Sequence, residues 1–309
     1  MVMAMIGLDW GSSSLRAMRL GAGGEVLELR QSAAGASTLH GRAEEFAAAL
    51  DALIPDWHEG SAPILACGMV GSQHGWREVP YADGPADAGA LMRLSLAVDW
   101  RGRPVRLLPG LRCSGAAGAP DLMRGEETQV LGALQLEPTL AAQSCLVLPG
   151  THSKWAQVQD GCVAGFATQM TGELFAVLRQ HSVLGRLMPA EADPSPEAFE
   201  QGVAAARDHG EAGLPNQLFG VRSLGLAARI VPEGLADYLS GLLIGHELRA
   251  GLAWREARGL NAAPLRLIGE PALCERYAHA LALFGEPGSQ ALSNTAPAGL
   301  WRLANQGGL

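Results

Sequence analysis

The chain has 309 residues and a formal net charge of −8, from 31 acidic and 23 basic side chains. Nucleic-acid binding draws on Lys and Arg for its phosphate contacts, so this balance argues against a nucleic-acid partner. Hydrophobic residues make up 48% of the chain, together with 40 Gly and 18 Pro. Such a composition favours a globular protein rich in tight turns, and the length is sufficient for two domains.

The five cysteines are scattered, and no two of them have the Cys-x-x-Cys spacing of a metal site. Cys67, Cys145 and Cys274 lie in apolar runs and are expected to be buried. Unpaired cysteines fit a reducing compartment. The first residues lack a signal-peptide pattern, and no apolar run is long enough to cross a bilayer. We therefore expect a cytoplasmic protein without a membrane partner.

The chain opens with three short segments that are apolar or alternate between apolar and polar residues, separated by Gly-rich turns. They predict an antiparallel meander of three strands at residues 5–9, 15–20 and 25–30. The elements predicted next are a helix at 44–53, a strand at 63–67, a loop at 68–75, a strand at 105–108 and a helix at 125–136. Residues 79–100 show no clear periodicity.

The opening pattern then returns, with strands predicted at residues 145–148, 155–159 and 162–168 and a helix at 172–180. Repetition of the unit predicts two similarly built domains, which we place at 1–140 and 141–309. The remaining predicted elements are a loop at 189–196, a strand at 265–268 and helices at 199–209, 235–257, 273–284 and 297–305.

Polar residues follow the first strand, and we call residues 9–16 hairpin 1. Gly11 allows the backbone to approach an anion closely. Amides and hydroxyls that can donate to phosphate oxygens belong to Ser12, Ser13 and Ser14. Asp9 would repel phosphate, so we expect Mg²⁺ between them, held through water. Arg16 can neutralise charge near the transferred group. The alternative is an ordinary hairpin with Asp and Ser as turn formers.

A similar polar turn occupies the matching place in the second meander, and we call residues 150–154 hairpin 2. Its residues are Gly150, Thr151, His152, Ser153 and Lys154. The two hairpins together predict a clamp on the phosphates of a nucleotide. Lys154 is the candidate for direct charge on a phosphate, with a solvated hairpin lysine as the alternative. His152 is expected to act as a hydrogen-bonded orienting group.

A third candidate lies at Gly269, where a predicted strand runs through Glu270 and Pro271 into a helix. The N-terminus of a helix at such a junction can hold a nucleoside through its free amides. A plain strand-to-helix turn is the alternative.

Several strings in the chain together resemble the 2-keto-3-deoxygalactonate kinase family of the actin/hexokinase/Hsp70 superfamily. They are MIGLDWGSSSLRAMRL, GMVGSQHGW, MRGEETQ, LPGTHSKW, TQMTGELF, HSVLG and SGLLIGHEL. The resemblance implies an α/β fold of two ribonuclease-H-like domains, the actin-like ATPase fold, with an ATP cleft between them. It also implies ATP and Mg²⁺ as cofactors and phosphorylation of 2-dehydro-3-deoxy-D-galactonate on its terminal hydroxyl during galactonate catabolism.

The resemblance further implies a catalytic base where a strand meets a helix in the first domain. The matching residues are Glu126 and Glu127, between which we do not choose, with Asp121 in reserve. Acidic residues in the first turn of a helix also favour its dipole, which is the alternative role for at least one of them. Arg124 can pair with the substrate carboxylate in a bidentate way.

Residues 68–76, which we call the substrate loop, resemble a substrate loop of carbohydrate kinases. Its candidate ligands are Ser72, Gln73 and His74. Thr171 opens a predicted helix, either as an N-cap or as a contact to the substrate.

Three other functions use the same residues: a phosphohydrolase that needs no acceptor, a non-catalytic nucleotide sensor, and a kinase for the gluco epimer. A homodimer is a further alternative, in which the apolar residues 235–252 would form the interface.

Overall fold

The structure is a computed structural model that describes residues 3–57 and 60–308. Its strands are β1 (Met3–Trp10), β2 (Leu15–Gly21), β3 (Val26–Ser32), β4 (Ile64–Gly68), β5 (Ala82–Asp83), β6 (Leu96–Trp100), β7 (Arg103–Leu107), β8 (Leu111–Ser114), β9 (Pro120–Met123), β10 (Gln143–Leu148), β11 (Ser153–Gln159), β12 (Cys162–Gln169), β13 (Leu265–Ile268) and β14 (Gln290–Leu292). Its helices are α1 (Ala43–Leu53), α2 (Ala88–Leu94), α3 (Glu126–Leu136), α4 (Thr171–His181), α5 (Pro196–His209), α6 (Leu214–Leu226), α7 (Leu235–Ala257), α8 (Pro271–Leu283) and α9 (Ala296–Gln306).

The chain divides into two compact units. Unit 1 takes the described residues up to 144, with 156–166 and those from 294 onward. Unit 2 takes residues 145–155 and 167–293. Neither unit is one continuous segment, whereas the sequence predicts a single division near residue 140, and that division stays a prediction.

Unit 1 is built on a six-stranded sheet in the order β3-β2-β1-β4-β7-β6. Its outer pairs are antiparallel, while β1 pairs with β4, and β4 with β7, in parallel. The apolar run of β1 sits in the middle of this sheet and is buried, which is why its sequence shows little alternation. A smaller sheet has the order β5-β8-β9.

Three aromatic rings anchor the chain where it leaves the sheet of unit 1. The ring centroids of Trp10 and Phe46 are 5.2 Å apart, and each lies 6.0 Å from that of Trp76. Trp10 ends β1, and Trp76 ends the substrate loop. Aromatic contacts at these distances stabilise the packing of both segments, so one cluster fixes the start of hairpin 1 and the end of the substrate loop.

Helices α3 and α9 pack closely enough in unit 1 for their backbones to touch. A Cβ atom at Gly132 would lie 1.9 Å from the carbonyl oxygen of Thr295, and one at Gly299 would lie 1.9 Å from that of Thr128. The Thr295 hydroxyl donates to the carbonyl oxygen of Gln129 at 2.7 Å. These contacts explain why the last helix belongs to unit 1.

Unit 2 contains most of a five-stranded sheet in the order β12-β11-β10-β13-β14, with β10, β13 and β14 parallel. The long helix α7 contributes Ile244 and Leu248 to the core, where they join Trp155, Phe199 and Tyr277. Most apolar side chains of residues 235–252 are therefore buried inside unit 2, and their use in a homodimer interface stays a prediction.

The structure confirms both predicted meanders and the helices that follow them. The predicted burial of Cys67, Cys145 and Cys274 is also confirmed. The sequence analysis missed α2 and α6, the first of which is only 7 residues long and is capped by the Asp87 carboxylate accepting from the Ala90 amide at 2.7 Å. Among the described helices, none combines the length and the apolar character needed to span a membrane.

The contact between α3 and α9 predicts that Gly132→Ala destabilises the protein, because the added methyl group has no space. We expect the free energy of unfolding to fall by about 2 kcal/mol or more, as in other overpacked sites. Gly220→Ala in α6 is the matched control, since its Cβ would meet nothing within 4 Å and Ala is the better helix former. Urea unfolding of the three proteins measures both effects. Equal stability of Gly132→Ala and wild type would contradict the packing described here.

Candidate active site

Hairpin 1 is held from behind by the segment that follows β3. The Trp10 indole nitrogen donates to the Ala34 carbonyl oxygen at 2.8 Å, and the Ala36 amide donates to the Gly11 carbonyl oxygen at 2.9 Å. Gly35 lies so close that its Cβ would be 2.1 Å from the Ser12 carbonyl oxygen. These contacts fix the backbone of the turn.

The exposed side of hairpin 1 retains hydrogen-bond donors. Ser12 and Ser13 are exposed, and Ser14 is half-buried. The Gly11 amide donates to the Ser14 carbonyl oxygen at 2.9 Å, whereas no hydrogen bond to another described residue uses the amides of the three serines. Backbone amides grouped in this way form a concave anion site.

Asp9 and Arg16 form an ion pair across the base of hairpin 1, with 3.2 Å between Oδ2 and Nη1. Burial raises the pKa of the Asp9 carboxyl, while the charge of Arg16 and its hydrogen bond act in the opposite direction. A second cation near Asp9 would further favour its ionised form. Asp9 is therefore a suitable outer ligand for a metal ion that carries its own waters.

The junction between β9 and α3 brings both candidate bases next to the substrate loop. Gly125 has a φ of +112°, and its Cβ would lie 3.3 Å from the Cα of Gly68 at the start of that loop. Glu126 Oε2 accepts from the Arg124 amide at 3.0 Å, and both oxygens of Glu127 accept from the Gly125 amide at 2.9 and 2.7 Å.

The two glutamates differ in their surroundings. Glu126 is half-buried, whereas Glu127 is fully buried. Burial raises the pKa of Glu127 to about 8, and the neighbouring charge of Glu126 acts in the same direction. Glu127 is therefore largely protonated at neutral pH. The reserve candidate, Asp121, lies within β9 and accepts from the Leu122 amide at 2.9 Å.

Arg124 is only 9% exposed, and its guanidinium has unused donors. Nη2 donates to the Val79 carbonyl oxygen at 2.9 Å, and the group lies over the ring of Tyr81 at 4.3 Å. Nε and Nη1 are buried and have no hydrogen-bond partner among the described residues. Buried donors are rarely left unpaired, because each one carries a desolvation cost. The pair of free donors thus indicates a site for an oxyanion.

The substrate loop lies against this guanidinium. A Cβ at Gly71 would be 3.1 Å from Nη1 of Arg124. Ser72, the next residue, is half-buried, while Gln73 and His74 are exposed. Unit 1 thus brings Arg124, the two glutamates and the start of the substrate loop together.

Hairpin 2 is packed on the first turn of α4 in unit 2. A Cβ at Gly172 would lie 2.5 Å from the Gly150 carbonyl oxygen, and the Glu173 amide donates to the Thr151 carbonyl oxygen at 3.0 Å. The His152 ring pairs with the Glu173 carboxylate, which holds the imidazole in one orientation. A Cβ at Gly150 would meet nothing within 4 Å, so this part of the hairpin faces open space.

Three residues near hairpin 2 differ from what the sequence predicts. Ser153 is fully buried, and its hydroxyl is hydrogen-bonded to Tyr277 at 3.1 Å, so the structure does not present it to a phosphate. Lys154 is 3% exposed and donates to the His152 carbonyl oxygen at 3.0 Å. The alternative interpretation of Lys154 as a solvated lysine is therefore wrong. Thr171 is the first residue of α4 rather than its N-cap, and its hydroxyl donates to Glu247.

A pocket of about 650 Å³ lies entirely within unit 2. Hairpin 2, the first turn of α4, helix α7 and the first turns of α8 line it. Gly269 lies beside hairpin 2, since its Cβ would be 3.5 Å from the Pro149 carbonyl oxygen, and its φ is +153°. Glu270 caps α8 by accepting from the Leu273 amide at 2.8 Å. The second hairpin and the predicted nucleoside junction therefore share one pocket.

Sequence reasoning missed Glu247 and Tyr277. Glu247 is 2% exposed, and burial raises the pKa of its carboxyl while its hydrogen bonds act in the opposite direction. The signal was present in the sequence, because this acidic residue interrupts an apolar stretch of α7. Spacing alone did not show which groups it meets.

The fold of the chain resembles that of known structures, which indicates the class of protein to which it belongs. The chain superposes on the activator of 2-hydroxyisocaproyl-CoA dehydratase from Clostridium difficile, solved with bound ADPNP, with a TM-score of 0.50, 12% identity and coverage of 98% and 96% of the two chains. That likeness concerns the fold alone. It gives the class of the protein as the actin-like ATPase fold.

The family model described as 2-keto-3-deoxy-galactonokinase matches residues 9–303. The 2-dehydro-3-deoxygalactonokinase of Escherichia coli K12 is 37% identical over 283 residues, which cover 91% of this chain and 90% of the relative. A Sinorhizobium meliloti crystal structure, provisionally described as the same enzyme, has 35% identity, a TM-score of 0.84 and coverage of 97% and 98%. The chain belongs to the 2-keto-3-deoxy-galactonokinase family, as the sequence motifs indicate.

The raised pKa of Glu127 predicts a pH-dependent effect of Glu127→Gln on stability. The folded protein keeps this proton up to about pH 8, whereas the ordinary pKa of a glutamate is 4.5. Wild type therefore loses stability as the pH rises through this window, by up to about 1.4 kcal/mol per pH unit. Glutamine does not titrate, so the melting temperature of the variant should rise relative to wild type between pH 5 and pH 8. A difference that does not change with pH would rule this out.

Proposed function

We propose that the protein transfers the γ-phosphoryl group of ATP to the terminal hydroxyl of 2-dehydro-3-deoxygalactonate. The observation that carries this proposal is the buried guanidinium of Arg124, which keeps Nε and Nη1 unpaired beside the substrate loop. Family membership and the name of the E. coli relative supply the identity of the sugar acid.

Arg124 supplies the recognition that a sugar acid needs. A carboxylate lost from water requires charge-assisted donors, and arginine provides them in a fixed planar arrangement. Val79 and Tyr81 hold the guanidinium in place before any ligand arrives. The hydroxyl oxygens of a neutral sugar carry no charge and accept only weaker hydrogen bonds, so this site favours an acid over a neutral sugar.

We assign the general base to Glu126. The acceptor is a primary alcohol, and a nearby carboxylate can take its proton as the phosphoryl group is transferred. Glu127 is enclosed and largely protonated at neutral pH, so it is poorly suited to accept a proton. Its bonds to the Gly125 amide instead hold the junction from which Glu126 projects. Glu126 is half-buried and adjoins Arg124.

We assign the nucleoside of ATP to the pocket of unit 2. Its volume of about 650 Å³ falls in the range of small-molecule sites. The N-termini of α4 and α8 both line it, and the positive end of a helix dipole favours a phosphate. Gly150 and Thr151 contribute backbone at its edge. In unit 1, the serine amides of hairpin 1 form an anion site of their own that suits phosphate.

Mg²⁺ would be held mainly by the phosphates, with Asp9 as an outer ligand through water. No cluster of three or more His, Cys, Asp or Glu within residues 3–57 and 60–308 could hold a metal by itself. An ion that arrives with ATP needs no such cluster. When bound, it would neutralise charge on the phosphates.

Turnover assays with Arg124 variants test the substrate class. We expect ADP release to depend on the keto acid and Arg124→Lys to raise the KM for that acid by about tenfold or more, because lysine cannot reproduce the planar donors. The KM for ATP should stay within about twofold. Arg93→Lys, an exposed arginine of α2, is the matched control and should behave as wild type.

The same assay separates the alternatives. Release of ADP without an acceptor would indicate a phosphohydrolase, and no release with any acid would indicate a nucleotide sensor. Faster turnover with the gluco epimer would reassign the substrate while leaving the reaction class in place.

Glu126→Gln tests the base. We expect kcat to fall by about 10²- to 10⁴-fold, the usual range for loss of general base catalysis, with nucleotide affinity nearly unchanged. Glu127→Gln should lose much less, since glutamine resembles the protonated acid. Steady-state kinetics of both variants at pH 7 give the comparison. Near-normal turnover of Glu126→Gln would place the base elsewhere.

A further inference from the structure

Glu247 of α7 lies at the centre of a buried polar cluster in unit 2. Its Oε1 accepts from the indole nitrogen of Trp155 at 3.0 Å, and its Oε2 accepts from the Tyr277 hydroxyl at 2.6 Å. Oε2 also accepts from the Thr171 hydroxyl. One carboxylate thus ties together β11, the first residue of α4 and the middle of α8.

The cluster extends to hairpin 2 through one more hydrogen bond. Ser153 Oγ lies 3.1 Å from the Tyr277 hydroxyl and accepts from the Gly150 amide at 3.3 Å. Ser153 is fully buried, so this hydroxyl serves the hairpin from inside. Glu247 is therefore connected to Gly150 through Tyr277 and Ser153.

The chemistry of the donors fixes the direction of these hydrogen bonds. The indole of Trp155 can only donate, and both oxygens of Glu247 act as acceptors in the cluster. If Tyr277 donates its single proton to Glu247, its oxygen must accept from Ser153. The Ser153 proton then points toward Tyr277, while the Ser153 oxygen accepts the Gly150 amide. In this order every proton of the path has an acceptor.

We propose that Glu247 is a positioning residue for the nucleotide phosphates, acting on hairpin 2 through Tyr277 and Ser153 and on α4 through Thr171. This inference rests on the nucleotide site proposed above. Gly150, Thr151, Thr171 and Tyr277 all line the pocket of unit 2, so a change in the cluster moves groups that a nucleotide would meet. Glu247 itself is not among the lining residues.

Glu247→Gln keeps the size of the side chain but reverses the direction of some hydrogen bonds in the cluster. With its oxygen toward Trp155, the amide nitrogen must donate to the hydroxyls of Thr171 and Tyr277. Tyr277 then donates toward Ser153 rather than accepting from it. We expect the dissociation constant of a non-hydrolysable ATP analogue with Mg²⁺ to rise by about tenfold, as for other disrupted buried networks. The KM for the keto acid should stay within about twofold.

Two smaller changes keep the test decisive if Glu247→Gln fails to fold. Tyr277→Phe and Ser153→Ala each interrupt the path to hairpin 2, and their double variant should be no worse than either single one, because both remove the same connection. Tyr238→Phe is the matched control, being a buried tyrosine of α7 that does not line the pocket. Its analogue affinity should equal that of wild type.

Unchanged analogue affinity in the folded variants, even with lower melting temperatures, would overturn the proposal and leave a structural role only. Equal increases in the KM for ATP and for the keto acid would overturn it as well. Analogue binding requires no acceptor, so failure of the proposed phosphorylation would appear in the turnover assay and leave the binding result to decide on Glu247.

Discussion

Contacts between backbone segments that only glycine permits hold the candidate groups of both units in place. In unit 1, Gly35 presses against the backbone of hairpin 1, and a Cβ at Gly68 would lie 2.6 Å from the Trp10 carbonyl oxygen. In unit 2, Gly172 makes the same kind of contact with Gly150. A side chain at any of these positions would displace hairpin 1, hairpin 2 or the start of the loop at residues 68–76. The reactive groups sit on turns, yet the turns have little freedom to move.

Charge is distributed differently over the two units. In unit 1 the cationic Arg124 is buried, and two of its donor nitrogens have no hydrogen-bond partner among the described residues. The buried Glu127 nearby is neutralised by protonation rather than by an ion pair. In unit 2 the acid Glu247 is buried and accepts from three donors. A satisfied network stiffens its surroundings, whereas unpaired donors prepare a site for a ligand. The first arrangement suits recognition of an anion, and the second suits support of a loop.

The sequence predicted those features that depend on local pattern. Apolar strands ending in Gly and hydroxyl residues marked both hairpins, and acidic residues at the start of α3 marked the candidate bases. It did not distinguish Glu126 from Glu127, because their different burial arises from packing around the junction rather than from spacing. Nor did it separate Ser153 from Thr151, since the direction of a hairpin side chain depends on which face of β11 meets α8. Glu247 was visible only as an acid in an apolar helix.

The packing of α9 on α3 has a consequence for how the protein is made. Helix α9 follows every residue of unit 2 along the chain, yet it fills a groove in unit 1. During synthesis from the N-terminus, the ribosome releases all of unit 2 before unit 1 can acquire its last helix. Until α9 has been synthesised, the surface of α3 against which it packs therefore stays uncovered. Unit 2, whose residues end at 293, can complete its own packing first, although the synthesis of unit 1 begins earlier.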